Sequence, residues 1–170
     1  MDHDFDSTTS PSISMETPRN ALHSAILAIR QKAGLVAIMV VTADGNLLAE
    51  SGDFTGVSLT ALSALSAGLY AASQEIARLI GENEFKTLLH EGEGRFLHLS
   101  AIDSDTLLIA VLDDPSRLGM VRLTIRKGHP SLKRALARFN RIAVNIEPLE
   151  DPEFKDQALR AVDELFSGGR

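Results

Sequence analysis

The residues in this chain whose types could do acid–base or metal chemistry gather around one short stretch, His90-Glu91-Gly92-Glu93, with His98 a few positions on. Two imidazoles across a hairpin, with carboxylates beside them, are the minimum for a proton relay or a hydrolytic metal site. The turn is Gly-rich and no further ligand flanks it, so a solvated hairpin tip competes with that reading. A hydrolase using His90, His98 and the nearby carboxylates would have to work without a complete constellation. Other signatures are missing. There is no G-x-x-x-x-G-K-[ST] loop to cradle a nucleotide triphosphate, no G-x-S-x-G elbow and no H-E-x-x-H helix. No catalytic residue, no metal site and no cofactor are assigned.

Composition narrows the partners. The 170 residues carry 17 Lys and Arg against 23 Asp and Glu, for a net charge of −6, which disfavours nucleic acid and anionic membrane unless cations cluster. Zero Cys excludes disulfides and thiolate sites, and the chain lacks an apolar run of signal or membrane length, so a cytoplasmic protein is expected. At this length roughly two thirds of the unfolded surface can be buried, enough for one real core.

The elements that must position any site follow from periodicity. Residues 1–18 are rich in Ser, Thr and Asp without apolar period and read as a disordered tail. Leu22, Ile26 and Ile29 mark a first helix stopping before Gly34, and a buried strand runs from Leu35 to Thr42. Asp44-Gly45 turns it into Asn46–Glu50. A long helix follows from Ser58, a good cap, to Ile80, with Gly81 to end it. Strands are expected at Phe85–His90, Arg95–Ile102 and Thr106–Leu112. The stretch from Arg117 alternates like a strand over Val121, Leu123 and Ile125. Leu118, Val121, Ile125, Leu132, Leu136 and Phe139 nonetheless keep a helical stripe, which predicts a third helix bent near Pro130. The order helix, two strands, helix, three strands, helix makes an α+β sandwich with a five-stranded antiparallel sheet. The domain spans 19–142. A linker at 143–150 leads to a segment, 151–170, in which Phe154, Ala158, Val162 and Leu165 form an amphipathic helix.

The second helix is unusual. Leu62, Leu65, Leu69, Ala72, Ile76 and Leu79 form one stripe, read as its core face. Beside it Ala61, Ala64, Gly68 and Ala71 form a stripe of small residues ending at Glu75. Gly68 costs about 1 kcal/mol of helix propensity relative to Ala, so a close-packing role is expected. Self-association or a docking surface would use that second stripe; cover by the first or third helix of the same chain is the alternative.

Three stretches carry a resemblance: Leu79-Ile80-Gly81-Glu82-Asn83-Glu84-Phe85 after the long helix, His90-Glu91-Gly92, and Leu118-Gly119-Met120-Val121-Arg122-Leu123 opening the third helix. Over Asn20 to Phe139 the chain resembles the Roadblock/LC7 family, in particular its bacterial gliding-motility and cell-polarity branch, and the similarity resumes at Asp163-Glu164-Leu165-Phe166. The resemblance implies a homodimer with sheets joined edge to edge and the second helices side by side. It further implies that the paired-helix surface receives a small Ras-like GTPase and speeds its GTP hydrolysis by reshaping the GTPase's own catalytic loop. Ala64, Gly68, Ala71, Ala72, Glu75 and Leu79 would line that surface, with Glu75 standing where a small residue is expected. The C-terminal segment would reach the GTPase separately through Phe154, Val162, Leu165 and Phe166, in a helix-in-groove contact; packing on its own domain is the alternative. An arginine supplied in trans is a common device in GTPase activation. Arg78, Arg95 and Arg117 are weighed as surface residues, because the family works without one, and Arg122, Arg126 and Lys127 are expected to face water. A location at a cell pole is implied by the resemblance alone, and a Roadblock scaffold that leaves turnover unchanged remains the alternative function.

Overall fold

The computed structural model describes residues 18–145. Its elements follow the predicted order: α1 Pro18–Ala33, β1 Ala37–Thr42, β2 Leu47–Gly52, α2 Leu59–Leu79, β3 Thr87–Glu91, β4 Phe96–Ala101, β5 Thr106–Leu112, a 3-10 turn at Pro115–Arg117, and α3 Leu118–Asn145. All four strand pairings are antiparallel, in the order β2-β1-β5-β4-β3. The two nearly continuous apolar runs, Ala37–Val41 and Leu107–Ala110, lie side by side at the centre, buried on both faces, as their composition requires.

Tight turns set the register. Asp44-Gly45 closes the first hairpin: Gly45 has φ +84° and its N–H donates to the Thr42 carbonyl at 2.9 Å. The same glycine lies so close to the start of α2 that a Cβ there would fall 2.8 Å from the Ala64 Cα. Between β4 and β5 the Asp103 carboxylate accepts from the Asp105 N–H at 3.1 Å, a side chain standing in for a backbone turn bond.

Two hydrophobic layers sandwich the sheet. On one face α1 and α3 pack against each other and over Ile38, Val40, Leu108, Ala110 and Leu112, with Leu22, Ile26, Ile29, Val121, Ile125, Leu132 and Leu136 turned inward. The ambiguous stretch after Arg117 is therefore helix, uninterrupted through Pro130. Gly128 makes the close helix pairing possible, since a Cβ there would sit 2.7 Å from Ile29 Cδ1. α2 covers the other face, above Met39, Val41, Leu99, Leu107 and Ile109.

α2 departs from expectation. Its buried residues are Ser63, Ser66, Ala67, Ser73 and Ala77, while the stripe read as its core face points outward: Leu65 is 72% exposed, Ile76 53% and Leu79 85%. From that stripe Leu62 alone packs partly into the layer beneath. Small side chains let the helix axis lie close to the sheet, so the large residues are left on the far side. Two further corrections concern the ends and the histidines. α3 runs to Asn145, into the first residues expected to be linker. His90 is exposed but His98 is buried, and the pairing of Leu89 with His98 and His90 with Leu97 puts the two imidazoles on opposite faces of the sheet. The solvated-tip reading thus fails for His98, and the shared His90–His98 site fails with it. Residues 1–17 and 146–170, and with them the expected tail and the docking residues Phe154, Val162, Leu165 and Phe166, lie outside the described residues.

Candidate partner-binding surface

The outer face of α2 is built by the fold's own logic. At ~100° per residue, the inward set Ser63, Ser66, Ala67, Ser73 and Ala77 occupies one side of the helix. Everything in both stripes from Ala61 to Leu79, except Leu62, falls on the opposite arc of about 160°. Ala61, Ala64, Leu65, Gly68, Leu69, Ala71, Ala72, Glu75, Ile76 and Leu79 are all exposed. The two stripes are neighbours on one apolar surface, and neither α1 nor α3 covers it, because both lie across the sheet. Gly68 meets nothing within 4 Å at the position a Cβ would take, so its own fold gives no reason for a glycine there.

The ends of the surface are fixed by hydrogen bonds. Ser58 Oγ accepts from the Ala61 N–H at 3.3 Å, capping the helix. At the far end Gly81, at φ +83°, lets the chain turn, and the Glu82 N–H donates to the Ala77 carbonyl at 2.9 Å. Exposed Val57 and Ile80 lengthen the apolar surface beyond both ends. Two residues that periodicity did not single out then hold the next strand in place. Gln74 Nε2 donates to the Phe85 carbonyl at 3.0 Å, the Phe85 N–H donates to Gln74 Oε1 at 3.1 Å, and the Tyr70 hydroxyl donates to the same carbonyl at 3.2 Å. The signal was present as a polar i, i+4 pair on the inward face of the helix, beside Ser63, Ser66, Ala67, Ser73 and Ala77. This clamp sets the start of edge strand β3 relative to the α2 surface.

The arrangement offers shape and apolar area rather than chemistry. Glu75 and Arg78 pair with each other at the solvent side. Arg117 lies 3.3 Å from Asp114 and donates to the Gly34 carbonyl at 3.4 Å, while Arg95 takes part in neither ion pair found among the described residues. The Ser116 hydroxyl and N–H hold the Asp114 carboxyl below its usual range, with Arg117 adding to the effect. Among the described residues there is no group of His, Asp and Glu able to hold a metal ion, and no helix is long and apolar enough to cross a membrane.

A model of the Roadblock/LC7 domain matches residues 24–113. The chain belongs to the Roadblock/LC7 family. Among solved structures it is similar to Myxococcus xanthus MglB, at 29% identity over 70% of this chain and 90% of that one, with a TM-score of 0.66. The gliding protein MglB of Thermus thermophilus matches at 26% identity over 69% and 90% of the two chains, with a TM-score of 0.62. A structure of MglB in a tetrameric arrangement gives 26% identity, 69% and 89% coverage and a TM-score of 0.63. No curated protein sequence matches the chain. The Roadblock/LC7 match takes in α2, β3 and the Gln74–Phe85 clamp, and it ends at Asp113, just before the turn that opens α3.

Proposed function

We propose that this Roadblock/LC7 protein is a homodimeric regulator that receives a small Ras-like GTPase of the MglA type on its α2 surface and stimulates GTP hydrolysis. The observation that carries the reading is the exposed row Leu65, Leu69, Ile76 and Leu79 running beside Gly68 and Ala71. A contiguous apolar helix face of this kind is uncommon on a monomer and is typical of a protein interface. Side-by-side α2 helices would bury part of it, and the remainder, with Ala64, Ala72 and Glu75, would meet the GTPase. As the family resemblance implies, stimulation would work by reshaping the GTPase's own catalytic loop. The C-terminal residues Phe154, Val162, Leu165 and Phe166 would add a second contact. By analogy with the gliding-motility MglB proteins, the setting would be bacterial motility or polarity.

The test is to add purified protein to its MglA-type GTPase and follow GTP turnover and complex formation. Acceleration and a GTP-dependent complex are expected, and Ala71→Arg should abolish both without unfolding the protein. Absence of both in the unmodified protein overturns the reading. A second reading, a scaffold dimer that binds without altering turnover, draws on the same lack of a chemically active group on the surface; binding indifferent to nucleotide state would favour it.

A further inference from the structure

On the opposite side of the sheet from α2, the first half of α3 does not close fully over β3 and β4. The gap is a cavity of about 470 Å³, in the size range of small-molecule sites. Its lining is chemically one-sided: Lys86, Arg122, Arg126, His98 and His129 contribute to it, and no carboxylate does. This concentration of cations occurs in a chain whose net charge is −6. Among the described residues neither Lys86, Arg122 nor Arg126 takes part in an ion pair. Leu123, Ile125 and Ala101 add an apolar wall.

A buried histidine forms part of the same wall, with one ring nitrogen closed off from the cavity itself. His98 is 2% exposed, and its Nδ1 is enclosed with no hydrogen-bond partner among the described residues. A buried nitrogen left unsatisfied is costly and uncommon in a folded protein. Burial, followed by the neighbouring Arg122, pushes its pKa down to about 4, so the ring is neutral at pH 7. His129, by contrast, is oriented: its Nε2 lies 3.3 Å from the Ala101 carbonyl, which can only accept, so that nitrogen carries the proton.

We propose that this cavity binds a small phosphomonoester, with the phosphate between Arg122, Arg126 and Lys86 and a compact apolar body against Leu123 and Ile125. Guanidinium forks match phosphate oxygens two at a time, and a dianion answers several cations better than a single carboxylate does. The site is separate from the α2 surface and does not depend on the proposed regulatory role.

Titration of the full chain with phenyl phosphate, followed by amide and imidazole NMR, tests this. Saturable shifts are expected at cavity residues such as Ser100, Gly119 and His98, weaker ones with inorganic phosphate, and none with phenol. Arg122→Ala and Arg126→Ala should each weaken binding about tenfold or more, the loss of one charge-assisted hydrogen bond. Arg138→Ala, farther along α3, should leave it unchanged, as should Ala71→Arg, so that failure here is distinct from failure of GTPase regulation. Both Arg positions are exposed, so their variants are expected to fold. No saturable shift, equal affinity in the Arg122→Ala/Arg126→Ala protein, or equal binding of phenol overturns the proposal. It is also overturned if deleting residues 146–170, where seven acidic residues stand against three basic, by itself moves the cavity signals with no ligand present, because the occupant is then the chain's own tail.

Discussion

His98 shows how a residue's type can mislead about its job. Buried on the α3 side of β4, it is held far below its ordinary pKa of 6.5, at about 4. The unfolded chain therefore takes up a proton near pH 6.5 that the folded chain refuses until about pH 4. The stability this represents is complete above pH 6.5 and is lost as pH falls from there through about 4, an effect of order ~3 kcal/mol. Urea unfolding at several pH values should show that loss in the wild type and a flatter profile in His98→Leu; identical profiles would rule the assignment out. On the other side of the sheet, Leu65 is 72% exposed, so Leu65→Asp should change the stability of the isolated chain by no more than about 0.5 kcal/mol. It should nevertheless weaken self-association markedly in analytical ultracentrifugation. A large loss of stability with unchanged association would place Leu65 in the fold's own core.

At the scale of elements, α2 is the informative one. Its inner face is Ser63, Ser66, Ala67, Ser73 and Ala77, so a bulky residue there must push the helix off Met39, Val41 and Ile109. Ser66→Leu, which makes that face look more like an ordinary amphipathic core, should destabilise the protein by about 1–3 kcal/mol, measured by denaturant unfolding. The connection from α2 to β3 rests on the Gln74–Phe85 pair of hydrogen bonds. Gln74→Ala should speed hydrogen exchange at the Phe85 amide with little effect at the centre of β5; unchanged protection at Phe85 would mean that the clamp does not hold the edge strand. Strands, turns and helix ends were legible in the sequence because each has a local cause: Gly45 and Gly81 at positive φ, Ser58 as a cap, unbroken apolar runs in β1 and β5. The direction in which α2 faces was not. A helical period reports where the apolar residues lie around the axis, and both a core face and an interface face satisfy it.

For the molecule as a whole, the sheet carries α1 and α3 on one side and α2 on the other, which separates the α2 surface from the basic cavity by the thickness of the sheet. The two surfaces should therefore respond independently to substitution. Removal of residues 146–170 belongs to this scale as well. If the C-terminal segment provides a second contact, the truncated protein should still dimerise and still bind the GTPase through α2, with its affinity reduced about tenfold or more in a titration by calorimetry. Unaltered affinity would remove the segment from the interaction. The sequence by itself determined the order of elements, the antiparallel meander, the family and the presence of excess apolar surface on the second helix, since these follow from local period, turn chemistry and motif. Tertiary structure alone decided which side of α2 is inside, that His90 and His98 are parted by the sheet, and that Lys86, Arg122 and Arg126 surround a cavity. Those outcomes depend on how closely helices approach the sheet, which is set by the volumes of side chains far apart in the chain.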